Sequence, residues 1–236
     1  MSDLRATFIE QIPRTQTVRS FRFSVNEKIN FRPGQFLQVI FDEANPQNKD
    51  LNKYLSFSCA PGKDYVEVTK RISESSFSKR LTDLKKGDSV LFKAPLGNCV
   101  FENQFEKIGF LIGGIGITPV ISILEYISDK HLATDACLIY ANKNEKDIAF
   151  EKELDAWSRA NNHIHLIYTI DQCDPASQKY CSGAISKEFL MEHGCDFSDR
   201  VVFISGPPGM VRAMKDICLD IGCIKERIRA ESFIGY

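Results

Sequence analysis

At 236 residues the chain is long enough for two modest domains, each with its own core. Its 43% hydrophobic and 26% charged content is ordinary for a soluble globular protein, and a formal net charge of −1 gives no electrostatic reason to expect nucleic acid or a membrane surface as partner. The opening "MSDLRATFIEQ" has neither the basic n-region nor the apolar h-region of a secretory signal, so a cytoplasmic protein is expected.

From Leu4 to about Val100 the chain reads as short extended segments: "RATFIEQI", "TVRSFRFSV", "QFLQVIF", "KYLSFSCA", "YVEVTKRI" and "DSVLFKA". They are rich in Val, Phe, Ile and Thr, and turn chemistry ("RPGQ", "APGKD", "KKGD", "PLGN") separates them. Six such strands predict an antiparallel β-barrel, because closure removes exposed edges. "SSFSKRLTDL" interrupts the rhythm with Phe77, Leu81 and Leu84 at helical spacing.

After about Glu106 strands alternate with helices. "KIGFLIG", "DACLIYA", "HIHLIYT" and "RVVFISG" are buried-strand runs, and "TPVISILEYISDK", "KDIAFEKELDAWSRA", "AISKEFLMEHG" and "GMVRAMKDICLDIG" are helical. That order predicts a parallel α/β domain of Rossmann-like type, whose ligands bind beyond the carboxyl ends of the strands. Domains over 1–102 and 103–236 are expected.

The most apolar stretch, "IGFLIGGIGITPVISILEY", spans 108–126. It falls short of the ~20 apolar residues a membrane span needs and carries a proline inside, so no membrane insertion is expected. It divides into a strand, a turn and a helix, with Thr118 as N-cap and Pro119 at the first helical position. Gly113, Gly114 and Gly116 let the backbone turn tightly, and a helix N-terminus favours an anion such as a pyrophosphate. A second turn, "ISGPPGM" at 204–210, closes another strand of the same sheet.

The eight cysteines never form a C-x-x-C pair, so reduced structural thiols are expected and no iron-sulfur ligand set exists. His163 and His165 share a strand face without a third ligand, so no metal site is predicted.

In their joint order "FRPGQF" (31–36), "KYLSFSCAP" (53–61), "SSFSKRL" (75–81), "GGIGITP" (113–119), "SGPPGM" (205–210) and the terminal "ESFIGY" resemble the ferredoxin-NADP reductase superfamily over essentially the whole chain. The resemblance implies an FAD-binding barrel followed by an NAD(P)H-binding domain. It places Lys53 at the flavin phosphate, Leu55 against the isoalloxazine with Tyr54 beside it, and Ser56 at the reactive N5 edge. Val68 and Lys70 on the next strand are further cofactor contacts, and Ser76, Phe77 and Ser78 correspond to the second phosphate contact, which favours FAD over FMN. The first glycine turn, with Thr118 and Pro119, corresponds to the nicotinamide dinucleotide's pyrophosphate site.

Ser205, Gly206 and Pro207 correspond to a loop near the nicotinamide in which the family has cysteine where this chain has serine. Glu231 stands where the family often has an acidic residue near the flavin, and Phe233 or Tyr236 where an aromatic covers the ring. Ser56, Glu231 and Ser205 are thus the candidates nearest the chemistry. Asp171 in "YTIDQ" would repel a 2′-phosphate, which favours NADH over NADPH.

The expected activity is hydride transfer between NAD(P)H and FAD, with electrons passed to a separate acceptor: a ferredoxin, an iron-sulfur partner or a haem protein. The alternatives are a free-standing flavin or cytochrome reductase, and a non-catalytic FAD- or dinucleotide-binding subunit.

Overall fold

The computed structural model describes residues 2–171, 179–193 and 196–233. Contacts divide the chain into two units, Met1–Phe101 with Thr118–Tyr126, and Glu102–Ile117 with Ile127–Tyr236.

In the first unit the elements are β1 (Ser2–Pro13), β2 (Val18–Val25), β3 (Phe36–Ile40), β4 (Asn52–Ser56), β5 (Val66–Arg71), α1 (Ser76–Thr82) and β6 (Ser89–Leu96). The six strands form one antiparallel sheet in the order β4-β3-β6-β1-β2-β5. Its two edge strands meet through a single bridge between Phe57 and Val68. The backbone N–H of Ser58 donates to Glu67 O at 2.8 Å beside that bridge, so the edge groups find partners where the sheet curls round.

The interior is phenylalanine-rich: Phe8, Phe21, Phe23, Phe31, Phe57, Phe77 and Phe92 are all buried. Phe23 meets Phe92 edge-on at 5.0 Å, and Phe31 stacks on Phe57 at 3.8 Å. Each such ring buries a large apolar area and gains from the offset or edge geometry. A polar layer ties β2 to β5. The buried carboxylate of Glu67 accepts from Arg14 Nη2 at 3.1 and 3.2 Å and from Arg22 Nε at 2.8 Å, and the buried hydroxyls of Ser20, Thr69 and Ser58 bond in a row at 2.6 and 2.7 Å. A buried charge persists because it is paired and hydrogen-bonded on several sides.

The later elements are β7 (Lys107–Gly113), α2 (Thr118–Asp129), β8 (Asp135–Asn142), α3 (Glu151–Ala160), β9 (Ile164–Ile170), β10 (Tyr180–Ser182), α4 (Lys187–Glu192), β11 (Val201–Gly206), α5 (Pro208–Asp220) and β12 (Ile228–Ser232). The second sheet is parallel throughout, in the order β10-β9-β8-β7-β11-β12. The chain lays β8, β9 and β10 on one side of β7 and then returns to its other side with β11. The β7/β11 junction is therefore the topological switch point.

Gly109 in β7 is required by packing, since a Cβ there would stand 2.5 Å from the Phe197 ring. At the amino-terminal edge of this sheet the buried Arg200 donates to the carbonyls of Ile108 (3.2 Å), Asp135 (3.0 Å) and Asp196 (2.8 Å), and to the Asp135 carboxylate (3.0 Å).

Several boundaries differ from expectation. The helix predicted from Lys146 begins only at Glu151, after a 3-10 turn at Glu145–Asp147 and a left-handed Phe150 (φ 63°), because Ile148, Ala149 and Phe150 are buried and break the helical run. The predicted "AISKEFLMEHG" helix shortens to six residues, capped by Ser186, whose hydroxyl accepts from Phe189 N at 3.2 Å. The short strand β10 and the terminal strand β12 have no counterpart in the sequence reading. Cys59, Cys218 and Cys223 are free thiols, whereas Cys137 is disulfide-bonded, against the expectation of reduced thiols throughout.

Candidate functional site

Each unit presents candidate residues of its own. In the first, β4 carries Lys53, Tyr54, Leu55 and Ser56 in the extended alternation of a strand. Leu55 packs against the phenylalanine core, while Tyr54 is 62% exposed with its ring edge-on to Phe36 at 5.8 Å. The aromatic surface at this strand is therefore that of Tyr54, not of position 55. Ser56 ends β4, buried and in register with Phe36.

On β5, Val68 is wholly buried in the core, so its side chain is a packing group and not a contact for a surface ligand. Lys70 is half-buried, and burial followed by the nearby charge of Lys53 lowers its pKa from the ordinary value. Next to it the Nε of Arg71 is buried without a hydrogen-bond partner. A buried guanidinium donor without a partner, beside the positive charge of Lys53 and Lys70, fits a bound anion.

The serine segment is less uniform than its sequence suggests. Phe77 lies in the core beside Phe41, with ring centroids 5.4 Å apart. The buried Ser78 hydroxyl accepts from Ser73 N at 3.2 Å and from the Ser75 hydroxyl at 3.1 Å, so it knits the loop together. Ser75 is the N-cap of α1, and Ser76 is the exposed member of the segment.

In the second unit the turns after β7 and β11 lie side by side at the switch point. Gly113 and Gly116 have no room for side chains: a Cβ on Gly113 would collide with Met210, and one on Gly116 would stand 2.5 Å from Ser205 O. Gly114 is left-handed at φ 53°. A 3-10 turn, Gly114–Ile117, feeds α2 directly, which makes Thr118 the first helical residue instead of the cap, and Pro119 the second. The glycines thus serve close backbone packing.

Ser205 is buried, and its hydroxyl donates to Gly116 O at 2.7 Å. It joins the two turns, a different task from the catalytic one suggested by its position in the motif. Tyr140 on β8 donates to Gly114 O at 3.1 Å from the other flank. The register of β11 with β12 sets Ser205 opposite Glu231 and Gly206 opposite Ser232, and Phe233 N donates to Gly206 O at 3.0 Å. Burial raises the Glu231 carboxyl to about 7. Pro207 caps α5 and is exposed. Gly113, Gly114, Gly116, Ser205, Gly206, Pro207, Glu231 and Phe233 therefore gather at one end of the sheet, whereas Asp171 stands exposed two strands away, after β9. Tyr236 lies outside the described residues.

Sequence reasoning missed two residues here. One is Tyr140, concealed in an apolar strand pattern. The other is Asn142, the last residue of β8, whose side-chain oxygen and nitrogen are both buried without a hydrogen-bond partner. An orphaned amide at the carboxyl edge of a parallel sheet fits a polar ligand there; its only signal was an asparagine closing an apolar strand. Among the described residues no group of three or more His, Cys, Asp or Glu side chains is placed to hold a metal, and no helix is long and apolar enough to cross a membrane.

Comparison with known proteins bears on both units. Residues 5–101 match the oxidoreductase FAD-binding domain family, and residues 110–216 the oxidoreductase NAD-binding domain family. NADH-cytochrome b5 reductase 1 of Aspergillus terreus is 31% identical over 230 residues, covering 92% of this chain and 77% of the relative. NADH-cytochrome b5 reductase 2 of Debaryomyces hansenii is 33% identical over 172 residues, covering 71% of this chain and 57% of the relative, so the chain spans well under two thirds of that protein. A ferredoxin NADP+ reductase from Neisseria gonorrhoeae, solved with bound FAD and NADP, shares the fold with a TM-score of 0.82 at 21% identity, covering 98% of this chain and 99% of that one.

Proposed function

The chain belongs to the ferredoxin-NADP reductase superfamily as an FAD- and NAD-binding oxidoreductase, and on that premise we propose that it is an NADH-dependent cytochrome reductase that delivers electrons to a separate haem protein. The observation that carries the acceptor class is the 31% identity across 92% of the chain with an NADH-cytochrome b5 reductase. A ferredoxin or other iron-sulfur acceptor, the leading expectation from the motifs, has support at the level of the fold and is the weaker reading.

FAD, when bound, supplies the chemistry that turns a two-electron hydride donor into successive electrons for an acceptor. The protein's part is binding, orientation and proton placement. Lys53, Lys70 and Arg71 supply positive charge and donors for the FAD phosphates, Tyr54 offers a ring face to a planar ligand, and Ser56 supplies a hydroxyl at the strand end. Ser76 is the accessible hydroxyl of the second phosphate segment. The paired glycine turns at the switch point receive the dinucleotide, and Asn142 offers it an amide with both ends open. Asp171 supports NADH, because its carboxylate accepts from a ribose hydroxyl and repels a 2′-phosphate. Glu231 holds a proton on its carboxyl near neutral pH, which suits a group that donates a hydrogen bond or a proton to a reduced ligand.

The test uses the full chain loaded with FAD, a soluble cytochrome b5-type haem domain, a [2Fe–2S] ferredoxin, and either NADH or NADPH. The expected result is haem reduction with a marked preference for NADH. Reduction of the ferredoxin but not the haem protein would overturn the acceptor, and a preference for NADPH would overturn the donor.

A further inference from the structure

Three of the four residues at 113–116 are glycines, so the turn has unusually wide backbone freedom and needs something outside itself to hold one conformation. Two buried hydroxyls do so from the strands on either side of β7. Tyr140 Oη on β8 donates to Gly114 O at 3.1 Å, and Ser205 Oγ on β11 donates to Gly116 O at 2.7 Å. Tyr140 is completely buried, and its ring is held against Tyr168 with centroids 6.4 Å apart, so its hydroxyl has a fixed origin. A peptide carbonyl facing a phosphate repels it. A carbonyl occupied by a donor on a neighbouring strand turns its negative end back toward the sheet.

We infer that Tyr140 is a positioning residue for the dinucleotide's diphosphate: with Ser205 on the opposite flank, its hydroxyl holds the carbonyls of the glycine turn toward the sheet and away from the bound anion. This rests on the reading that the turn receives the nicotinamide dinucleotide. The clamp is separate from the glycine motif itself, since Tyr140 lies on a different strand and reaches the turn with its hydroxyl.

The test compares Tyr140→Phe and Ser205→Ala with wild type as FAD-loaded full chains. Each substitution removes a single hydroxyl, leaving the ring or the β-carbon in place. ADP-ribose, which carries the diphosphate without the nicotinamide, is titrated by calorimetry. KM and kcat for NADH are measured beside it with an artificial acceptor, and thermal melts are recorded without nucleotide.

ADP-ribose affinity is expected to fall roughly three- to tenfold in each variant, the effect of one lost hydrogen bond. KM for NADH should rise by a similar factor while kcat holds, the pattern of a binding interaction common to ground and transition states. Melting points that drop with wild-type ADP-ribose affinity in both variants would mean the hydroxyls only stabilise the fold, and would overturn the inference. A wild-type chain that binds neither ADP-ribose nor NADH would instead overturn the nicotinamide reading, and the clamp with it.

Discussion

Glu231 combines burial with a place at the sheet's carboxyl edge. Its folded pKa of about 7 lies above the ordinary 4.5, so the folded state holds more proton than the unfolded chain between those values. Stability from this group is therefore present at low pH and is lost as pH rises through about 7. Urea denaturation at pH 5 and pH 8 should show the loss, on the order of 2 kcal/mol, and Glu231→Gln should remove it. An equal slope in wild type and variant would show that the carboxyl is not perturbed. Asp171 gives a second prediction at this scale. Asp171→Ser should raise kcat/KM for NADPH relative to NADH by about tenfold, equivalent to ~1.4 kcal/mol, measured as flavin reduction with each donor. Tyr54 and Leu55 show why individual roles were harder to read than the motif that holds them. The pattern gave their order on the strand, but whether a side chain faces core or solvent depends on how the sheet curls, and only the structure resolved that.

The strands of both sheets were legible because their apolar runs and turn residues are local signals. Short or irregular elements were not. β10 has three residues and β12 is half-buried along most of its five, so neither carries enough periodicity to stand out; they exist because β9 and β11 offer them an edge. The helix lost before Glu151 is a tertiary override, in which burying Ile148 to Phe150 outweighs helix propensity. Pairing between elements makes its own prediction. Glu67 on β5 is the common partner of Arg22 on β2 and of Arg14 in the turn before β2, and Glu67→Leu leaves two guanidinium groups without it. The loss should be about 3 kcal/mol in a chemical denaturation curve, larger than for a surface ion pair such as Arg5 with Glu43. In the second sheet, Gly109→Ala forces a Cβ into the Phe197 ring and should cost roughly 1–3 kcal/mol.

For the molecule as a whole, the change of period near residue 100 announced two architectures, an antiparallel sheet and then a parallel sheet with helices. Cofactor roles at that scale rest on cations and orphaned donors that sequence spacing does not reveal, since Lys53 and Lys70 approach one another only once β4 and β5 meet at the edge bridge. FAD binding to this arrangement should stabilise the folded chain by mass action. Removing FAD should lower the melting temperature, and adding it at 100 times Kd should restore about 2.7 kcal/mol. The double variant Lys53→Ala, Lys70→Ala should lose most of that gain.

The two turns at the switch point approach so closely that Gly116 has the backbone of Ser205 and Gly206 where a side chain would be, and Gly206 has that of Gly113. For anyone redesigning the dinucleotide preference of this oxidoreductase they are one cassette. Grafting the "GGIGITP" loop from another enzyme without its matching "SGPPGM" partner introduces a mismatch of backbones that no side-chain library can repair, so the productive unit of exchange is the pair.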